Sequence, residues 1–140
     1  MTTTLTCNVV SAEKSLFSGE VSLVVATGEL GDLGIKPGHA PLITTLKPGP
    51  VKLLDEAGKE TLFYVSGGFL EVMPSVVNIL ADTADRAEDL DGYSAENAQT
   101  EARRLFLNAP NDIDFSKAKA ELAEASARLR VIQQLRDRRA

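Results

Sequence analysis

Residues 51–72 read VKLLDEAGKETLFYVSGGFLEV, and this stretch decides the fold class. Two apolar runs flank the turn-forming tetrapeptide DEAG at 55–58, which is the pattern of a β-hairpin. The tripeptide SGG at 66–68 then breaks the chain before a third apolar run. No helical period interrupts the three runs. The stretch therefore predicts consecutive antiparallel strands.

The same pattern extends in both directions, from Leu5 to about Asp82. Short apolar runs alternate with Gly- and Pro-containing turns, without intervening helices. Such an arrangement predicts an antiparallel β-sandwich or barrel. Cys7, the only cysteine, falls in one of these runs and is expected to be a buried structural residue. A single cysteine allows no internal disulfide, which fits a reducing compartment.

After Ala84 the period changes to that of helices. Apolar residues recur at helical spacing from Ala98 to Ala109, and the segment 108–112, which contains Pro110, then breaks the helix. A second series follows in steps of three and four, as in a heptad seam. Its members are Phe115, Ala118, Leu122, Ala125, Leu129 and Ile132. Asp114 is expected to cap the second helix.

These periods predict an α+β fold that is mainly β. A β-sandwich docking domain over residues 1–86 precedes an antiparallel two-helix hairpin over 87–140. The hairpin seam is rich in alanine, which buries little apolar area. We therefore expect the hairpin to be marginally stable alone and to need the sandwich or a partner. It could occupy more than one position, with the compact form expected for the isolated chain.

Composition excludes several classes of function. The formal net charge is −5 and tryptophan is absent, which argues against nucleic-acid binding. No window approaches the roughly 20 apolar residues of a membrane span, and the N-terminus lacks a signal core. We expect a soluble protein that does not insert into a membrane but can attach to one through partners.

The segment 31–42 holds three glycines, two prolines and the only histidine, His39. Gly and Pro shape the backbone, so we expect a stiffened loop that meets either a substrate or another protein. A hydrolase would pair His39 with Ser66 and an aspartate, but Ser66 lacks the setting of a nucleophile elbow. No metal ligands stand near His39 at the required spacing. His39 is either a structural hydrogen-bonding residue or a contact residue.

Two further motifs fail on inspection. Gly28, Gly31 and Gly34 lack the opening and the following helix of a dinucleotide fingerprint. The acidic cluster over 82–91 does not match a calcium loop, which needs acids at alternating positions and a sixth-position glycine. We interpret the cluster as a solvated linker with helix-capping acids.

Arginines crowd the C-terminal end of an otherwise acidic chain. They are Arg128, Arg130, Arg136, Arg138 and Arg139. Cations near a helix C-terminus are ordinary, but this clustering exceeds what the helix dipole requires. We favour a patch that grips an acidic partner, because guanidinium groups pair well with carboxylates.

Several motifs carry a family resemblance that spans the chain in order. They are VSAE at 10–13, LFSG at 16–19, LGI at 33–35, PGHAPL at 37–42, KPG at 47–49, YVSGGFLEV at 64–72, LADTA at 80–84, DLD at 89–91, AELAEA at 120–125 and LRVI at 129–132. Taken together, they resemble the epsilon subunit of bacterial F-type ATP synthase.

The resemblance implies a non-catalytic subunit of the central stalk, a rotor part that couples proton translocation to ATP synthesis. Its expected partners are the gamma subunit, the ring of membrane c subunits and, when the helical arm extends, the alpha and beta subunits. The arm is expected to inhibit ATP hydrolysis. The implied location is peripheral, at the cytoplasmic face of the bacterial inner membrane.

The resemblance also assigns roles to positions. The loop with Asp32, Lys36 and His39 corresponds to the surface that faces the c ring. The C-terminal arginines correspond to a basic inhibitory helix that meets an acidic segment of beta.

Some members of the family bind regulatory ATP through an Ile/Leu-Asp-x-x-Arg-Ala motif. Asp91 matches this motif, but Ser94 stands in place of its arginine and removes a phosphate-pairing cation. No cofactor is therefore expected, and a nucleotide-sensing module is the alternative hypothesis.

Overall fold

A computed structural model describes residues 3–139, except for the side chain of Arg139. Ten strands occupy the N-terminal part. They are β1 (Leu5–Ser11), β2 (Ser15–Val21), β3 (Leu23–Gly28), β4 (Gly31–Ile35), β5 (Leu42–Leu46), β6 (Gly49–Leu54), β7 (Glu60–Val65), β8 (Gly68–Val72), β9 (Val76–Ala81) and β10 (Ala84–Arg86). A short 3-10 helix (Ala87–Asp89) leads to α1 (Gly92–Leu107) and α2 (Asp112–Arg139).

The strands form one sheet in the order β10-β7-β6-β3-β5-β8-β9-β1-β2, with β4 paired to β3. The predicted sandwich or barrel is confirmed, with one difference. Strands β1 and β9 run parallel, whereas the other pairs are antiparallel. Because β1 and β9 are distant in sequence, no tight turn forces them to run in opposite directions.

The two ends of the sheet meet, so that the sandwich is nearly closed. Arg86 of β10 donates from Nη2 to the carbonyl of Leu16 in β2, at 2.9 Å. Across the same junction the rings of Phe17 and Phe63 pack edge to face with 6.2 Å between centroids. Both halves of the sheet therefore contribute to one core.

The core is apolar and lies between the two layers of the sheet. Its buried side chains include Leu5, Val9, Val24, Ile35, Leu53, Phe63, Leu70 and Ile79. Cys7 is fully buried in the same core, as expected from its strand. Its burial raises the pKa of the thiol to about 12, so the thiol is neutral and unreactive at ordinary pH.

Strand β7 is covered on both faces. Phe63 and Val65 point into the sandwich core, whereas Leu62 and Tyr64 belong to a second apolar cluster with α2. All four side chains are buried, which breaks the usual alternation of a half-exposed strand. The sandwich therefore has a built-in docking face for the helical hairpin.

Helix α1 begins at an aspartate cap. The Asp91 carboxylate accepts from the backbone N–H groups of Tyr93 and Ser94, at 3.0 and 3.3 Å. It also accepts from the Ser94 hydroxyl at 2.8 Å, and these bonds lower the pKa of Asp91, the Ser94 hydroxyl most strongly. The expectation of capping acids in this linker is confirmed at Asp91.

The expected cap of α2 was wrong by three residues. Asn111 accepts the backbone N–H of Asp114 at 2.9 Å through its side-chain oxygen, so Asn111 occupies the capping position. Asp114 instead lies within the first turn of α2 and accepts from the Asn111 side-chain amide. There its negative charge still favours the positive end of the helix dipole.

Two faces of α2 are buried. The predicted seam faces α1, and its members Ala118, Ala125 and Ile132 are buried. A second stripe at Ala127, Val131 and Leu135 packs against Leu62 and Tyr64 of β7. The hairpin is thus folded against the sandwich, as expected for the isolated chain.

The segment 31–42 is not a loop throughout. Gly31–Ile35 is strand β4, which forms a hairpin with β3, and only residues 36–41 are irregular. Gly31 and Gly38 have φ values of 131° and 85°, which glycine adopts readily. These two glycines form the hairpin turn and the bend of the loop.

Candidate functional site: a docking loop, an apolar sheet face and a helical arm

The loop at 36–41 is held by hydrogen bonds of its own backbone. Gly38 donates to the carbonyl of Pro74 at 2.8 Å, and His39 donates to the carbonyl of Lys36 at 3.2 Å. His39 also bonds through ring Nδ1 to the carbonyl of Ala40, at 2.7 Å. Since a carbonyl only accepts, Nδ1 carries the proton and Nε2 is left for another group. His39 is half-buried and shapes the loop through Nδ1, and its Nε2 takes no part in this hydrogen bond.

The other two predicted residues lie along the same edge. Asp32 is exposed in β4, opposite Thr27 of β3, and Lys36 is exposed directly after the strand ends. A backbone hydrogen bond joins His39 to Lys36, whereas Asp32 lies near the other end of β4. Leu30, at the turn before β4, is fully exposed and was not predicted. The charged side chains of Asp32 and Lys36 are therefore both accessible to a partner.

An apolar patch covers the outer face of the sheet near this loop. Phe69 of β8 pairs with Leu80 of β9, and these side chains are 52% and 49% exposed. Ile43 of β5 is 71% exposed on a neighbouring strand. Large apolar side chains grouped on one sheet face indicate a protein contact. Consecutive apolar residues in β8 and β9 are the sequence signal for this patch, which was not among the predicted sites.

A polar ladder borders the apolar patch. The Asn8 side chain donates to Asn78 at 2.9 Å, Asn78 donates to Glu71 at 2.9 Å, and the hydroxyl of Ser18 donates to Asn8 at 2.8 Å. Four strands are thereby joined by side chains on their outer face. Such a ladder fixes the amide orientations and presents a rigid surface beside the patch.

The C-terminal arginines are engaged with the sandwich. The Cζ atom of Arg128 lies 5.0 Å from the centroid of the Tyr64 ring, a cation–π geometry. Arg130 donates from Nη2 to the carbonyl of Pro48 at 3.3 Å. These two side chains attach the middle of α2 to strand β7 and to the turn before β6.

The end of α2 is attached through Glu60 of β7. Arg138 donates from Nη1 to the Glu60 carbonyl at 3.1 Å and lies 3.5 Å from its carboxylate. The other carboxylate oxygen is 3.6 Å from Nζ of Lys52. Arg136 is exposed and reaches over the start of α1, where a Cβ on Gly92 would be 3.4 Å from its Nη2. The side chain of Arg139 lies outside the described residues.

Tyr64 is the least satisfied polar group of this interface. Its ring is fully buried, and within the described residues its hydroxyl has no hydrogen-bond partner. Burial raises its pKa to about 12, although Arg128 acts in the opposite direction. Leu62 and Tyr64 were not predicted as contact residues, although the unbroken apolar run LFYV at 62–65 indicates a strand buried on both faces.

The residues of the nucleotide motif do not form a phosphate site. The Asp91 carboxylate is committed to capping α1, and the neighbouring surface depression carries two more acids, Asp85 and Asp89. Its one cation, Arg128, lies over Tyr64. Three carboxylates against one engaged guanidinium would repel a triphosphate. The residues present do not fit regulatory ATP.

Residues considered for chemistry are engaged elsewhere. The Ser66 hydroxyl accepts the N–H of Thr83 at 2.9 Å and donates to its carbonyl at 3.3 Å. It thus braces a turn and is not paired with His39. Within residues 3–139 no three His, Cys, Asp or Glu side chains gather as a metal site. In the same range no helix is long and apolar enough to cross a membrane.

Comparisons with known proteins cover both parts of the chain. The family model described as "ATP synthase, Delta/Epsilon chain, beta-sandwich domain" matches residues 4–87, and the model for the long alpha-helix domain matches 88–133. The ATP synthase epsilon chain of Chromohalobacter salexigens is 56% identical over 132 residues, which is 94% of each chain.

Two solved structures share the fold. A chain in the cryo-EM structure of the Euglena gracilis mitochondrial ATP synthase (OSCP/F1/c-ring) matches with a TM-score of 0.83 at 22% identity, covering 91% of this chain and 80% of that one. A chain in the central stalk and c-ring structure of the Tetrahymena thermophila enzyme matches with a TM-score of 0.62 at 13% identity, covering 91% and 96%. The family models and the bacterial relative show that this chain belongs to the ATP synthase delta/epsilon chain family, among its epsilon subunits.

Proposed function

We propose that the helical hairpin of this epsilon subunit inhibits ATP hydrolysis, while the β-sandwich anchors the subunit in the rotor. The chain is a non-catalytic subunit of F-type ATP synthase and part of the central stalk. The observation that carries the proposal is the position of α2. Its arginine-bearing end contacts the sandwich through a narrow apolar stripe and a few contacts of partly exposed arginine side chains. A helix attached in this way can leave for a stronger partner.

The sandwich offers two surfaces for anchoring. The apolar patch with Ile43, Phe69 and Leu80 suits a stable contact with the gamma subunit. The edge with Asp32, Lys36 and His39 suits the c ring, because exposed charges there can pair with polar loops. The two solved relatives come from complexes that contain a c ring or a central stalk. The location we propose for the subunit is peripheral, at the cytoplasmic face of the bacterial inner membrane.

The arm offers cations to the catalytic alpha and beta subunits. Arg136 is exposed, and release of α2 would free Arg128, Arg130 and Arg138 as well. Guanidinium groups pair strongly with carboxylates, so an acidic segment of beta is the expected target. Arg139, the next residue in the sequence, adds a fifth arginine to this group.

Removal of the arm tests the inhibitory role. A chain that ends at Asp112 keeps all ten strands and α1 but lacks α2. Reconstituted with the catalytic complex, it should hydrolyse ATP faster than the full-length subunit. A second variant with Arg128, Arg130, Arg136 and Arg138 changed to Gln keeps α2 and should give part of the same rise. Equal rates for all three would rule out inhibition by this arm.

The anchoring role has a separate readout. Proton-driven ATP synthesis by the assembled enzyme should survive truncation at Asp112, because the two surfaces of the sandwich remain. Loss of coupling with an intact level of assembly would show that α2 is itself needed for the rotor contact.

A further inference from the structure

Three arginines of α2 bind three different sites on one edge of the sandwich. Arg128 lies over the Tyr64 ring, Arg130 bonds to the Pro48 carbonyl, and Arg138 bonds to Glu60. The three side chains span eleven residues of the helix, or about 15 Å at 1.5 Å per residue. They therefore fix the direction of α2 along β7 as well as its distance from the sheet.

The apolar part of this contact is small. Helix α2 contributes three apolar side chains to it, namely Ala127, Val131 and Leu135. By contrast, the seam between α1 and α2 uses the other face of α2, so the hairpin can leave the sandwich without losing its own packing. The polar contacts hence add to the free energy with which this stripe holds the arm down.

We propose that Arg128, Arg130 and Arg138, with Tyr64, Pro48 and Glu60, form a latch that holds the arm against the sandwich. The regulatory role of the latch rests on the proposed inhibitory function, whereas the contacts that form the latch do not depend on it. The same guanidinium groups serve both states, so each arginine bound to the sandwich is withdrawn from an acidic partner. The equilibrium between docked and released arm is thereby set by competition for these side chains.

Glu60 is the charged centre of the latch. Its carboxylate lies between Arg138 and Lys52, with side chains about one-quarter to two-fifths exposed. Partly exposed pairs of this kind are screened by salt. Raising the ionic strength should therefore release the arm, and the effect should vanish once Glu60 has lost its charge.

Opening of the arm can be measured by thiol labelling of the full-length chain. Val131 is fully buried against the sandwich, so a Val131→Cys thiol reacts only when α2 lifts away. The native Cys7 thiol lies in the sandwich core and reports unfolding of the sandwich in the same molecule. If Val131→Cys perturbs folding, Ala127→Cys on the same stripe serves instead.

Four further substitutions, each made in the Val131→Cys chain, test whether the latch holds the arm. Glu60→Gln and Arg138→Gln should each raise the labelling rate at position 131 about threefold, and Arg128→Gln about fivefold. Glu101→Gln is the matched control, because it removes an ion pair to Arg104 that lies wholly within α1. The Cys7 rate should stay unchanged throughout.

Two results would overturn the latch. One is a rate at position 131 no higher than in the Glu101→Gln control. The other is an equal rise at Cys7, which would mean loss of the whole fold. The combination of Glu60→Gln with Arg138→Gln should add little to Arg138→Gln alone, since the Arg138 substitution already removes the ion pair with the Glu60 carboxylate. No catalytic complex is present in these measurements, so their failure leaves the truncation test of inhibition untouched.

Discussion

The guanidinium of Arg128 lies over the ring of Tyr64, with 5.0 Å between Cζ and the ring centroid, and the Tyr64 hydroxyl beneath α2 has no partner among the described residues. The helix thus uses the ring face while leaving the polar end of the side chain buried and unpaired. An unpaired buried hydroxyl costs about 1–3 kcal/mol, whereas the cation–π contact returns about 0.5–2 kcal/mol.

Tyr64→Phe should therefore not destabilise the chain. It keeps the ring under Arg128 and removes the unpaired oxygen, so we expect an unchanged free energy of unfolding or a gain of about 1 kcal/mol. Tyr64→Leu loses the aromatic face and should cost about 2 kcal/mol. Urea unfolding followed by circular dichroism gives both values. A loss above about 1 kcal/mol for Tyr64→Phe would show that the hydroxyl has a partner, such as an ordered water.

The free energy of unfolding should fall at alkaline pH because two buried groups, the Cys7 thiol and the Tyr64 hydroxyl, resist losing their protons. Burial raises the pKa of Cys7 from 9.0 to about 12 and that of Tyr64 from 10.0 to about 12. Each group is protonated in the folded chain at pH values where the unfolded chain has lost the proton. Its stabilising contribution is full below the unfolded pKa and is lost as pH rises toward the folded pKa, by about 1.4 kcal/mol per unit.

The two groups can be separated by their onset. Between about pH 9 and 10 only Cys7 contributes, so Cys7→Ala should flatten the pH dependence there. Tyr64→Phe should flatten it only above about pH 10. Unfolding free energies at half-unit steps from pH 8 to 11 provide the test. A decline with the same slope in both variants as in the parent chain would contradict the assignment.

Gly68 should tolerate no side chain. It has a φ of 136°, and a Cβ there would lie 2.1 Å from the carbonyl oxygen of Leu80 in the paired strand. Gly68→Ala should lower the free energy of unfolding by at least about 2 kcal/mol. Gly34→Ala is the control, because nothing lies within 4 Å of its Cβ position and its φ is not positive. Equal stability of the two variants would mean that the turn before β8 can shift.

The apolar patch should be needed for assembly but not for folding. Phe69→Ser removes a side chain that is 52% exposed, so the unfolding free energy should change little. Binding to the gamma-containing complex should weaken about tenfold or more if the patch is central to the contact. Leu107→Ser on the hairpin, also exposed, should leave binding unchanged. Pull-down or calorimetric titration compares the two, and equal affinities would show that the proposed gamma contact does not use this patch.

ATP should not bind to the isolated chain. The Asp91 carboxylate caps α1, and the adjoining surface carries more acids than cations. Calorimetry with millimolar ATP should give no saturable heat. Saturable binding that Asp91→Ala abolishes would restore the nucleotide-sensing alternative.

Sequence patterns predicted the architecture because the change of period at about residue 84 is strong. The runs at 51–54 and 61–65 are strands β6 and β7, and the seam through Ala118, Ala125 and Ile132 faces α1. The parallel pairing of β1 with β9 was missed, since it joins residues about 70 positions apart and no local turn encodes it.

The site was only partly predictable for the same physical reason. The arginines of α2 stand out by composition, but their targets Tyr64, Glu60 and the Pro48 carbonyl depend on how the hairpin folds back. His39 likewise stands out, whereas its bond to Ala40 depends on the loop conformation. The cap of α2 was misplaced because two acids and an asparagine compete within four residues.

The inhibitory function that we propose requires the arm to leave the sandwich when the subunit meets its complex. Labels at Lys59→Cys and Gln134→Cys, both exposed positions, report the distance between β7 and the end of α2, while the buried Cys7 stays unlabelled. We predict one short distance in the isolated chain and a second, longer distance when the catalytic complex is added. If only the short distance is found, both in the isolated chain and in a complex whose ATP hydrolysis the subunit inhibits, inhibition does not require release of the arm.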